Sequence, residues 1–130
     1  MVKLRPASLT NRREYDILQQ LIVKLAIDEA RITVRLPLFE DGKQGYLKAL
    51  TDARLTCASR IILMNNGRDM RKPPVEMLID VTKKRIADMR RVIETNDPEW
   101  ADMSYADKMS YIEASENVID LCEKHRSETD

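Results

Sequence analysis

Residues 65 to 74, Asn65-Asn66-Gly67-Arg68-Asp69-Met70-Arg71-Lys72-Pro73-Pro74, place the chain's strongest helix-stop signal beside its strongest helix-start signal. Asn66-Gly67 supplies the left-handed backbone that closes a helix C-terminus, because glycine has no Cβ to clash there. Pro73-Pro74 suits the first turn of a following helix, where a missing N–H costs no intrahelical bond. The rest of the chain reads as two helical pairs folded about this turn.

Apolar spacing defines those pairs. A first helix is expected from an N-cap at Asn11, with Glu14 three residues later in a box-like pattern, to about Arg31. Tyr15, Leu18, Leu21, Ile22, Leu25 and Ala26 mark its core side, while Ile17, Val23, Ile27 and Ala30 add a second apolar side that asks for more than one neighbour. Beyond it Ile32, Val34, Leu36 and Leu38 alternate with Thr33, Arg35 and Pro37 in the manner of an extended segment. Val2 to Pro6 looks similar, and a two-stranded ribbon with residues 34–37 is conceivable, although both prolines would confine it to an edge.

After the loop at Asp41-Gly42 and Gly45, a second helix runs to Asn66 with Tyr46, Leu50, Ala53, Cys57, Ile61 and Met64 inward. Leu47, Ala58 and Ile62 widen that stripe, and Arg54 lies on its edge. The third, from about Pro74 to Thr95, buries Val75, Leu78, Ile79, Thr82, Ile86, Met89 and Ile93 and turns Lys83, Lys84, Arg85, Arg90 and Arg91 outward. Asn96-Asp97-Pro98 then breaks the chain. A short turn over Glu99 to Asp102 is anchored by Trp100, and Ser104 with Asp107 is the best capping signature, opening a fourth helix. Tyr105, Met109, Ile112, Ile119 and Cys122 face inward there, and Glu116 interrupts the stripe.

Three glycines in 130 residues are too few for a multi-stranded fold with many tight turns. The length suffices to bury a core without disulfides or a structural metal. The fold expected is therefore all-α: an up-and-down bundle of four main helices in a single domain, residues 1–130, with the short extended segment near residues 32–38. No apolar run approaches a membrane span and Met1 to Pro6 lacks the apolar segment of a secretory signal, so a cytoplasmic location is expected. Cys57 and Cys122 are read as reduced core residues.

The balanced net charge conceals unlike parts. Residues 1–53 carry nine Lys/Arg against seven Asp/Glu, residues 54–91 ten against four, and residues 92–130 three against eleven. Such segments either pack beside each other or each meet a partner of opposite sign.

Catalytic constellations are missing at the level of residue types. The one histidine, His125, falls in the last turn of the fourth helix, where a cation favours the dipole. No phosphate-binding glycine loop and no paired Glu-x-x-His occurs. A non-catalytic function is expected, with no cofactor and no metal: a helical interaction protein, an accessory subunit, inhibitor or adaptor, working through protein–protein contacts as a homo-oligomer. Ile17, Val23 and Ile27, with Arg90 and Arg91, are the expected partner-binding residues. A first alternative is a small-molecule module in which Arg54 and Arg85, with Glu116 orienting one of them, and Arg68 and Arg71 beside a helix start, hold an anionic metabolite or nucleotide. A second is nucleic-acid binding by the basic face of the third helix. The eleven carboxylates that follow, and the few aromatics for base stacking, weigh against it.

Overall fold

The computed structural model describes residues 9–35, 41–67 and 72–129. Among them are four α-helices, α1 (Leu9–Arg35), α2 (Lys43–Asn65), α3 (Pro74–Thr95) and α4 (Tyr105–Thr129), and a 3-10 turn at Pro98–Trp100. No strand occurs among the described residues, and the architecture is an all-α bundle.

α1 is longer than expected at both ends. Asn11 lies inside it, so it caps nothing, and Glu14 is committed elsewhere. At the other end residues 32–35 are helical, which overturns the extended reading there; residues 36–38 and the Val2 to Pro6 half of the conceivable ribbon lie outside the described residues. In a strand Ile32 and Val34 would share a face, but two helical steps separate them by about 200°. The observed burial follows the helix: Ile32 is half-buried and Val34 is 82% exposed. Thr33 supports the last turn, its hydroxyl donating to the Glu29 carbonyl at 2.8 Å. Lys43 of α2 donates to the Thr33 carbonyl at 3.1 Å, satisfying one of the acceptors a helix end leaves open.

The stop and start around residues 65–74 are as the sequence indicates. The Asn66 N–H donates to the Ile62 carbonyl, and Gly67, at φ 71°, donates to the Met64 carbonyl. Pro74 is the first residue of α3. Asn96 closes α3 in the left-handed region at φ 50°, and the Asp97 carboxylate accepts from the Glu99 N–H at 3.0 Å to start the 3-10 turn. Ser104 caps α4, its hydroxyl accepting the Asp107 N–H at 3.1 Å.

Two helix starts are capped by another helix. α2 follows Gly42, an N-cap in the left-handed region with no side chain to cap it, and the Asp107 carboxylate of α4 accepts the Gly45 N–H at 3.1 Å. A Cβ on Gly45 would overlap the Asp107 carbonyl, so the absence of a side chain is what lets α2 and α4 touch. α3 follows Pro73, which cannot cap, and Glu14 of α1 accepts the Val75 N–H at 3.2 Å.

These contacts fix the order of packing. α1 runs antiparallel to α2, joined where Glu29 takes both the Thr51 hydroxyl and the Arg54 guanidinium. α3 and α4 form the second antiparallel pair. Short connections make sequential helices neighbours within each pair, but across the hinge α2 lies against α4 and only grazes α3. Their first turns meet at Gly42 and Gly45, and Cys57 and Cys122 join one core cluster further along, so α2 and α4 run in the same direction.

The core has two clusters. The first gathers Ile17, Leu18, Leu21 and Leu25 of α1 with Leu50, Ala53 and Cys57, Val75, Leu78 and Ile79, and Val118 and Cys122. The second holds Ala49, Ile86, Met89, Val92, Tyr111, Ile112 and Ala114, with Trp100 and Met103 packed against it. On α4 the buried stripe is shifted by one from the expected register. Ser115, not Glu116, fills the gap between Ile112 and Ile119, and the stem of Lys108 occupies the first buried turn. Tyr105 and Met109, expected inside, are consequently exposed.

Candidate interaction face

The polar residues that suggested an interior anion pocket are dispersed by the fold. Arg54 donates to Glu29 at 2.8 Å on the α1–α2 seam. Arg85 donates to the Thr56 hydroxyl at 2.9 Å on the α2–α3 side. Glu116 points to solvent and pairs with Arg90 at 3.0 Å. The three do not converge. Arg68 and Arg71 lie outside the described residues.

Arg85 belongs instead to a polar seam that no sequence pattern announced. The Tyr111 hydroxyl donates to the Asp52 carboxylate at 2.7 Å, Lys48 lies 3.5 Å from the same carboxylate, and the Thr56 hydroxyl donates to the Asp52 carbonyl at 2.8 Å. Burial, then the Asp52 hydrogen bond and charge, push the Tyr111 phenol up, so it stays a donor. The seam ties α2, α3 and α4 together with every named group satisfied.

Glu14 is the most enclosed carboxylate, 6% exposed. Burial raises its pKa, opposed by the Val75 N–H and by the Arg126 charge. It caps α3. The Cys57 and Cys122 thiols are free and buried, and desolvation pushes each up to about 12, which removes the thiolate that nucleophilic or metal chemistry needs. Among the described residues no group of His, Cys, Asp and Glu is arranged to hold a metal ion. A shallow open cleft of about 500 Å³ lies between the start of α2 and the 3-10 turn, lined by Gln44, Lys48, Trp100, Met103 and Asp107 among others. Asp107, its one carboxylate from α4, is already engaged with Gly45.

The basic side of α3 carries its own compensation. Lys83, Lys84, Arg90 and Arg91 are exposed, but Arg91 pairs with Asp88 at 3.2 Å and Arg90 with Glu116 of α4. Lys72 pairs with Asp80 at 3.2 Å in the same stretch.

Among the described residues an apolar row is also left without a covering helix. Ile17 is not part of it: at 1% exposure it belongs to the core. Val23 and Ile27, in contrast, are 58% and 43% exposed, and Ala30 and Val34 continue the line. Their spacing of four, three and four repeats the seam of a coiled coil, on the side of α1 opposite Leu18, Leu21 and Leu25. α2 adds Leu55 and Ile62, seven apart and exposed on its own outer side. The α1–α2 hairpin therefore carries apolar side chains on both of its faces, and the described residues cover only one. Sequence reading found Val23 and Ile27. Val34 was hidden by the alternation at residues 32–38, which masked the continuing heptad; Ile62, expected to widen the inward stripe of α2, is exposed instead, on the same outer side as Leu55.

No family model matches the sequence, and no curated protein or solved structure matches it either. No helix among the described residues is long and apolar enough to cross a membrane.

Proposed function

We propose that the protein is a non-catalytic interaction module that works by presenting the outer apolar face of the α1–α2 hairpin to a protein partner. The observation that carries this reading is the row Val23, Ile27, Ala30 and Val34, flanked by Leu55 and Ile62, left open on a helix whose opposite side is fully packed. Covering a half-exposed valine, leucine or isoleucine gains roughly 1 kcal/mol, so five such positions acting together outweigh what any surface ion pair here could supply. A cluster of this kind on a chain of this size marks a binding surface more often than scattered apolar residues do. Cytoplasmic residence accords with two free, buried thiols. The anion-binding reading has little support, since Arg54 and Arg85 are each engaged within the chain and Glu116 pairs with Arg90 on the surface.

The test is site-specific photo-crosslinking. A benzophenone amino acid at Val23 is expected to give discrete protein adducts whose crosslinked peptide is identified by mass spectrometry, whereas the same probe at Lys84, on exposed α3, gives none. Absence of adducts from Val23, or equal yield from both positions, would contradict the reading.

A further inference from the structure

The partner that this face fits can be named from its charges; the inference rests on the docking reading above and deepens it. We infer that the occupant is a second copy of the same chain, with the two α1 helices packed antiparallel about a two-fold axis near residue 25.

Four charges on α1 are engaged within the chain: Lys24 with Asp28, Glu29 with Arg54 and Thr51, and Glu14 with the Val75 N–H. Asp16 and Arg31 are different. Both are exposed, both lie on the outer half of the helix, and no described residue pairs with either. They bracket the apolar row, Asp16 seven residues before Val23 and Arg31 four residues after Ile27. Within the span of the apolar layers the strip reads negative, apolar, positive, with Arg12 and Arg13 preceding Asp16 at its N-terminal end. Reversed, it is its own complement, and a two-fold interface requires this property of a surface that meets itself.

The register follows from the apolar layers. Antiparallel seams pair positions whose numbers add to a constant. Setting Val23 opposite Ile27 of the second copy places Gln20 opposite Ala30 and Asp16 opposite Val34. Arg31 of the second copy then lies about one helical turn from Asp16, within reach of its long side chain, and symmetry makes the contact twice. A parallel arrangement puts Asp16 against Asp16 and Arg31 against Arg31, which like-charge repulsion disfavours. Arg12, also exposed, lies beyond the last apolar layer. Leu55 and Ile62 of α2, both exposed, are available to extend the contact beside the α1 pair.

Sedimentation velocity over a concentration series, on wild type, Asp16→Arg, Arg31→Asp and the double swap, tests this. Wild type is expected to show a reversible monomer–dimer equilibrium. Each single swap replaces two attractions by two repulsions and should raise the dissociation constant roughly tenfold or more, and the double swap should return it to within about threefold of wild type. A wild type that stays monomeric, or a double swap no better than the single ones, overturns the self-pairing. If wild type is monomeric while the Val23 probe captures one identified protein of different sequence, the docking face stands and the second copy is refuted. A dimer indifferent to Val23→Glu refutes both.

Discussion

On its inner face α1 buries Ile17, Leu18, Leu21 and Leu25 to 1% exposure or less, whereas on its outer face Val23 and Ile27, no less apolar, remain 58% and 43% exposed. The same helix thus carries two rows of similar chemistry, and what separates them is the supply of neighbours. α2, α3 and α4 all send side chains to the inner row. Nothing in the described chain reaches the outer one. Hydrophobicity alone does not decide burial in a four-helix bundle; the number of faces that the remaining helices can cover does. α2 repeats the lesson, with Ala53 and Cys57 enclosed and Leu55 and Ile62 open.

The contrast can be broken most severely at the inner row. Leu21→Ala removes a fully buried side chain and should cost about 3 kcal/mol by urea denaturation, from lost transfer energy plus the cavity left behind. Gly45→Ala tests whether the inner side of α2 is set by backbone contact. Its methyl group has no room against the Asp107 backbone, the capping bond to Gly45 must lengthen as the helices separate, and a loss of roughly 2 kcal/mol is expected in thermal unfolding.

Smaller and pH-dependent is the effect at Glu14, the polar member of the inner face. Its pKa is raised in the folded state, so the native protein binds the proton more tightly than the unfolded chain does. The stability this group contributes is therefore greatest at low pH and declines as pH rises through its raised pKa. Glu14→Gln keeps an acceptor for the Val75 N–H without a buried charge. Relative to wild type it should gain stability, within about 1 kcal/mol, as pH rises from the ordinary carboxylate range to neutrality. An unchanged difference across that range would place the cause of the burial elsewhere. At the outer row, Leu55→Ala in dilute protein should shift stability by less than about 0.5 kcal/mol, since a side chain more than half exposed has little to lose.

How legible these two faces were depended on the kind of signal. Helix number, the stop at Asn66-Gly67, the start at Pro74 and the cap at Ser104 were readable because each is a local backbone requirement written in one or two residues. The length of α1 was not, because four residues of β-like alternation look the same in either period until a neighbour takes one side. The register of α4 was hidden at Glu116 for a related reason: Ser115 is small enough to be buried at a tight approach, and a small polar residue carries no apolar periodicity. The caps from Asp107 to α2 and from Glu14 to α3 join residues about 60 positions apart and had no sequence signature. The anion pocket drawn from Arg54, Arg85 and Glu116 assumed that polar residues near core stripes point at each other, and each had a closer partner on an adjacent helix. The outer row was legible as surplus apolarity, while its continuation to Val34 and its match on α2 needed the helix lengths to be known.

The most direct measurement is the denaturation midpoint as a function of protein concentration, for wild type beside the Val23→Glu/Ile27→Glu double variant. Association stabilises the folded state by mass action, so the wild-type midpoint should climb with concentration, while the variant should stay flat at the wild-type value for infinite dilution. A wild-type midpoint independent of concentration would contradict the paired outer face, and a variant already destabilised at infinite dilution would show that Val23 and Ile27 belong to the monomer's own core.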